Sequence, residues 1–139
     1  MERNSGILLH PSSLPDTPIC CTFGKPARVW LNDLANCGIG VWQFLPLAPP
    51  DSLGSPYSSP SSFAFNPWFI DENDLVRDGF LANSLENCSP KIKDLEERVD
   101  FELANSKVKL LRSFLVDDWE KQNATIKEEF EKWCENNFG

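Results

Sequence analysis

Tyr57 is the only tyrosine of this 139-residue chain, and it stands in the run Gly54-Ser55-Pro56-Tyr57-Ser58-Ser59. A phenol offers a flat apolar face ending in a hydroxyl, which suits stacking on a sugar ring, and the Ser55 hydroxyl can add a hydrogen bond. Ligand contact and plain loop packing are both open to this tyrosine. What surrounds it narrows the chemistry. General acid-base work on a sugar or an ester needs two carboxyl groups at a defined separation, yet before Asp71 the only acids are Glu2, Asp16, Asp33 and Asp51. No pair can be placed. His10 is the only histidine, so a zinc site or a serine triad would have to be built around it alone, and neither is expected. The glycines form no phosphate cradle of the GxGxxG or GxxxxGK[ST] kind. The five cysteines, Cys20, Cys21, Cys37, Cys88 and Cys134, contain no C-x-x-C spacing. They read as thiols of a reducing compartment, with no metal and no cofactor expected.

The stretch that must position Tyr57 runs from Val41 to Pro67. Val41-Trp42-Gln43-Phe44-Leu45 is rich in β-branched and aromatic residues and reads as a buried strand. Pro46, Pro49, Pro50, Gly54, Pro56, Pro60 and Pro67 follow, and at that density neither a helix nor a central strand can continue. The expectation is a stiff, irregular loop over residues 46–67, of the kind that carries function more often than not. Upstream, Gly6-Ile7-Leu8-Leu9-His10 is a short apolar run closed by Pro11, which suits a strand buried on both faces. Pro26 sits where a first-turn helix proline belongs; Val29, Trp30, Leu34 and Cys37 recur at helical spacing, and Gly38 supplies a left-handed stop. Strand, helix and strand make a βαβ unit with parallel strands.

Beyond residue 70 the character changes. Ten of the eleven prolines lie before residue 71. Residues 1–70 hold 3 basic and 4 acidic side chains and residues 71–139 hold 10 and 17, so the net charge of −8 divides as −1 and −7. The second part reads as charged helices. A short helix is expected within Asp71–Leu81, ending near Gly79, and Ser89-Pro90 looks like an N-cap with a first-turn proline. Phe101, Ala104, Val108, Leu111 and Leu115 step by 3 and 4 and draw one apolar stripe along a longer helix. Thr125-x-x-Glu128 has the form of a capping box, with Ile126, Phe130 and Trp133 as the next stripe. Both stripes are expected to be core contacts.

Composition bounds the partners. With 41% hydrophobic and 24% charged residues the chain is long and apolar enough for one domain with a core. Its negative charge and lack of a basic patch argue against nucleic acid. No apolar run approaches the roughly 20 residues of a membrane span, and no leader pattern opens the chain, so a soluble cytoplasmic protein is the expectation.

Four blocks, in order, carry more than their physics: Ser5-Gly6-Ile7-Leu8-Leu9-His10-Pro11-Ser12-Ser13-Leu14-Pro15, Trp42-Gln43-Phe44-Leu45-Pro46-Leu47, Gly54-Ser55-Pro56-Tyr57-Ser58-Ser59 and Phe63-Ala64-Phe65-Asn66-Pro67. Together they resemble the 4-α-glucanotransferases, the amylomaltases or disproportionating enzymes. The resemblance implies an α/β fold, the N-terminal part of a (β/α)8 TIM barrel with the active site at the carboxyl ends of its strands. This chain then holds the first two strands and the first helix, residues 1–70 forming the opening βαβ segment with the substrate loop. Residues 71–139 form a mainly helical insertion. The implied reaction is a retaining double displacement on α-1,4-glucans: an Asp attacks the anomeric carbon, a Glu protonates the leaving oxygen, and a second maltooligosaccharide replaces water as acceptor. On this reading those carboxylates lie in strands past residue 139, the isolated chain is inactive, and its partners are a maltooligosaccharide and the remaining part of the enzyme.

By the same resemblance Tyr57 matches the family's sugar-stacking tyrosine and Ser55 its hydroxyl neighbour. Asn66 anchors the returning loop or touches ligand. Phe101 stands where some relatives carry a glucan-contacting tyrosine away from the active site, here without the hydroxyl. Cys20-Cys21 replaces a glycine-rich turn. Two-stranded parallel sheets are not stable domains by themselves, which agrees with a partial barrel. The rival expectation is a non-catalytic glucan-binding or remnant domain that folds alone.

Overall fold

A computed structural model describes residues 4–14, 22–82 and 99–138. Its first elements are strand β1 (Gly6–Leu8), helix α1 (Lys25–Asn36) and strand β2 (Val41–Gln43). The two strands pair in parallel with Gly6 opposite Val41, Ile7 opposite Trp42 and Leu8 opposite Gln43, as the βαβ reading requires. A side chain at Gly6 would crowd Val41, its Cβ falling 3.1 Å from the valine's Cβ. Pro26 lies in the first turn of α1, where its missing N–H costs nothing. Gly38, at φ 71°, ends the helix: its N–H donates to the Ala35 carbonyl and that of Ile39 to Leu34, the paired bonds of a left-handed helix stop.

Both strands are shorter and more open than their apolar runs foretell. Neither is buried on both faces; in each the middle residue is half-covered and the outer two face solvent, with Leu8 60% exposed. The reason is topological. Among the described residues the sheet has two strands only, so no neighbouring strand or second helical layer covers the faces that β-branched and aromatic residues prepare. Along α1, likewise, Ala27 and Leu34 are buried while Val29 and Cys37 are exposed.

After the 46–67 loop come α2 (Glu72–Arg77), α3 (Phe101–Trp119) and α4 (Ala124–Phe138). Helix α2 is capped by Asp71, whose Oδ1 accepts from the N–H groups of Asn73 and Asp74, and it stops before Gly79. Helix α3 is capped by Asp100, which accepts from Leu103 N–H at 2.9 Å. The Thr125 capping box does not form. Asn123 is the capping residue, accepting from Ile126 N–H at 2.9 Å, which places Thr125 inside the first turn of α4. The asparagine takes the N3 donor of a helix that starts two residues earlier, Ile126 N–H, where a Thr125 cap would have taken that of Glu128. The Ser89-Pro90 cap, Cys20, Cys21 and Cys88 lie outside the described residues.

Among the described residues the core divides into three small clusters. Trp68, Phe69 and Ala104 join the start of α3 to the end of the loop. Leu14 and Ala27, with Leu9, Trp30 and Trp42 against them, join α1 to the sheet. Leu81 and Leu111 hold α2 to the middle of α3. The α3 stripe is thus core at Ala104 and Leu111, half-covered at Val108 and Leu115, and open at Phe101. The α4 stripe is not core as expected: Ile126 is half-buried, but Phe130 and Trp133 are exposed. They lie against each other, rings stacked at 6.3 Å, and Phe130 meets Trp119 edge-on at 5.1 Å. The aromatic faces pack locally because no described element covers them.

Candidate functional site

The 46–67 loop is held at its neck, at one turn and along its serine run. At the neck, Asn66 N–H donates to the Leu47 carbonyl at 2.9 Å. Asn66 itself is 5% exposed, and its Oδ1 accepts from Trp68 N–H at 3.0 Å, capping the 3-10 turn Pro67–Phe69. That is the bonding of a loop anchor.

The turn is organised by Asp51, the only acid between residues 41 and 67. Its Oδ1 accepts from the N–H groups of Leu53 (2.9 Å) and Ser55 (2.8 Å), while its own N–H donates to the Ser55 carbonyl at 3.1 Å. Gly54 closes this turn at φ 84°, a left-handed conformation that only glycine takes without strain. The carboxylate is therefore spent on backbone geometry. Sequence reasoning left Asp51 without a role, although an Asp three residues before a Gly in a proline-rich loop is an Asx-turn signal.

The serines divide into two uses. Ser61 Oγ accepts from Phe63 and Ala64 N–H, and Ser59 Oγ donates to the Ser61 carbonyl at 2.7 Å, so these hydroxyls satisfy the loop's own backbone. Ser55 is half-covered at the head of the 3-10 turn Pro56–Ser58, and its side chain makes no capping bond there. Tyr57 is 72% exposed. Proline on one side and the Asp51 turn on the other fix the backbone while the phenol stays open to solvent, which is the arrangement a stacking platform needs.

Asn66 and Phe101 come together elsewhere, on a cavity of about 230 Å³ whose lining also includes His10, Ser12, Gly54 and Pro56. Tyr57 and Ser55 do not line it. Of the four expected site residues the cavity thus brings Asn66 and Phe101 together and leaves out Ser55 and Tyr57, although Gly54 and Pro56 on both sides of Ser55 line it. Phe101 is stacked on Trp68, ring centroids 5.5 Å apart and tilted by 24°. His10 Nδ1 lies 2.8 Å from Ser12 Oγ and accepts from Ser12 N–H at 3.3 Å, which makes Nε2 the protonated nitrogen of the neutral ring. Nε2 is buried without an aligned partner. Burial pushes the His10 pKa below its ordinary value of 6.5, against a smaller upward pull from the Pro46 carbonyl. Among the described residues no three His, Cys, Asp or Glu side chains are grouped to hold a metal ion. No described helix is long and apolar enough to cross a membrane.

A family profile described as 4-alpha-glucanotransferase matches residues 9–138, nearly the whole chain. The chain belongs to the 4-alpha-glucanotransferase family. It is 36% identical over 135 residues to the 4-alpha-glucanotransferase of Synechocystis sp., an alignment covering 96% of this chain and 26% of that one. With the enzyme of Thermus thermophilus it shares 42% over 81 residues, 58% of this chain and 16% of the relative. Among solved structures, the amylomaltase from Streptococcus agalactiae in complex with acarbose superposes with a TM-score of 0.84 at 26% identity, over 97% of this chain and 27% of that chain. This chain therefore spans about a quarter or less of the length of these family members.

Proposed function

We propose that this chain supplies one wall of the donor-sugar site of a 4-α-glucanotransferase, an enzyme moving α-1,4-glucan segments between maltooligosaccharides by retaining double displacement. Tyr57 is its stacking platform and Ser55 its hydrogen-bonding neighbour. Asn66 holds the loop's neck, and the open face of Phe101 offers a second glucan contact. The observation that carries this reading is the conjunction of a family match across residues 9–138 with an exposed tyrosine on a loop fixed by Asp51 and the Asn66 neck. The Streptococcus agalactiae amylomaltase, an acarbose complex, supports an oligosaccharide ligand.

In the same reading β1, α1 and β2 are the opening of a (β/α)8 barrel and residues 71–139 an insertion beside it. The open faces of the sheet and the exposed Phe63 and Phe65 are then surfaces that further strands and helices of the enzyme cover. By the family resemblance the reacting carboxylates belong to those strands, and the loop's own acid, Asp51, serves its turn. An amide-resolved NMR titration of the chain with maltotriose tests the wall. Shift changes centred on Ser55 to Ser58 and lost in Tyr57→Ala are expected; changes confined to the α3–α4 region, or unaffected by Tyr57→Ala, would count against it. Transfer by the chain alone, seen as glucose and longer oligomers from maltotriose, would contradict the placement of the carboxylates outside it.

A further inference from the structure

We infer that Phe101 is the positioning residue of the Asp51–Ser55 turn: through Gly54 it sets where Ser55 and Tyr57 stand, independently of any sugar it touches itself. The inference rests on the wall reading above only for its consequence in binding. Its basis is a contact between segments 47 residues apart in sequence.

At Gly54 a Cβ would fall on the tip of the Phe101 ring, overlapping its Cζ and both Cε atoms. The glycine is thus required twice, for its left-handed φ and for the space the ring occupies. On the other side the ring is not free to retreat. It stacks on Trp68, which is buried. Trp68 is in turn pinned at both ends, its Nε1–H donating to Asn105 Oδ1 at 3.1 Å and its backbone N–H to Asn66 Oδ1 at 3.0 Å. Phe101 and Asn105 stand one helical turn apart on α3 and so grip the same indole. Asp100 fixes the first turn that carries Phe101.

A continuous packed path therefore runs from α3 through Trp68 and Phe101 to Gly54, the residue before Ser55. Without the ring, the turn keeps its internal bonds to Asp51 but loses the surface against which Gly54 rests. Such a turn is expected to open more often, because an exposed loop held only by its own hydrogen bonds sits at the low end of local stability.

Hydrogen exchange of the Leu53 and Ser55 amides, both donors to Asp51, reads the turn directly. In Phe101→Leu these amides are expected to exchange faster by on the order of tenfold, in Phe101→Tyr at the unaltered rate, and the α4 amides unchanged in both. Unchanged Leu53 and Ser55 exchange in a folded Phe101→Leu overturns the inference. Should that variant lose the α4 protection as well, the unaltered chain decides: NOEs between the Gly54 α-protons and the Phe101 ring support the contact, and their absence overturns it. A maltotriose arm separates the two readings. If Tyr57→Ala leaves maltotriose binding unchanged while Phe101→Leu frees the turn, the wall reading fails and the positioning role stands. If Tyr57→Ala weakens binding while Phe101→Leu changes neither exchange nor binding, the wall stands and the positioning role fails.

Discussion

Thr22 and Asp71 meet across 49 residues in a 2.5 Å hydrogen bond from the threonine hydroxyl to Asp71 Oδ2. The other carboxylate oxygen caps α2 through Asn73 and Asp74. One side chain thereby begins a helix and ties it to the segment entering α1. Removing it in Asp71→Ala is expected to cost about 1–3 kcal/mol, the sum of a lost cap and a buried hydroxyl left without this acceptor. Asp71→Asn, which keeps a capping oxygen, should lose less than half of that. Urea unfolding of the three proteins gives the comparison; equal stability of Asp71→Ala and the unaltered chain would show that the tie does not hold α2.

Gly24 enters the same knot from the other side. A Cβ there would overlap the Asp71 carboxylate itself, so even an alanine must push aside the group that Thr22 and α2 share. Gly24→Ala is expected to destabilise by about 2–3 kcal/mol, as overpacking does where the neighbour cannot yield. In an Asp71→Ala background the same substitution should cost much less, a non-additivity that a double-mutant cycle measures. Simple additivity would place the glycine's role elsewhere.

His10 makes stability depend on mildly acid pH. Its folded pKa lies below the ordinary 6.5 because burial disfavours the charged ring. The unfolded chain therefore takes up the proton first as pH falls. The full contribution is present above pH 6.5 and is lost progressively as pH drops through 6.5 toward the lower folded pKa. The imidazole resonances of this single histidine should titrate below that value by NMR, and His10→Asn should flatten the stability profile over the same window. A titration midpoint above 6.5 would contradict the burial account.

Leu111 is 2% exposed and packs on Leu81, yet it also lines an apolar groove of about 630 Å³ between α2, α3 and α4, beside Phe80, Leu115 and Phe130. Leu111→Ala should cost about 2–3 kcal/mol, the lower part of the range for such truncations, because side chains bordering an open groove can relax into the space. Asn105→Ala removes the acceptor of the Trp68 indole N–H and should cost about 1 kcal/mol. Thermal unfolding orders the two; a larger loss at Asn105→Ala would mean that the indole bond, not the helix packing, dominates.

The βαβ order, the parallel pairing, Pro26 and Gly38 were legible because each rests on local backbone rules that the rest of the chain does not revise. The burial of β1 and β2 was not, since it depends on how many strands lie alongside, and an apolar run carries no count of its neighbours. Asn123 displaced Thr125 as the cap because both residues offer an acceptor within two positions, and spacing alone does not choose between them. At the site, Tyr57 and Ser55 stood out by type. The Gly54–Phe101 contact did not, because it joins a loop to a helix through a ring whose direction only the fold sets. Asp51 shows the same limit in reverse: a lone carboxylate looked unassigned until its two N–H partners, two and four residues on, were visible.

The Tyr57 loop, as the proposed wall of a glucan-transfer site, can be tested inside an active enzyme. Its most direct measurement uses the Synechocystis relative, 36% identical over 135 residues, with the matching segment replaced by this chain. The chimera should disproportionate maltotriose into glucose and longer oligomers. Tyr57→Ala within it should lower kcat/KM by on the order of tenfold, the upper scale of one lost stacking contact, without lowering Tm. A folded, active chimera whose kcat/KM is untouched by Tyr57→Ala would show that the loop is no such wall.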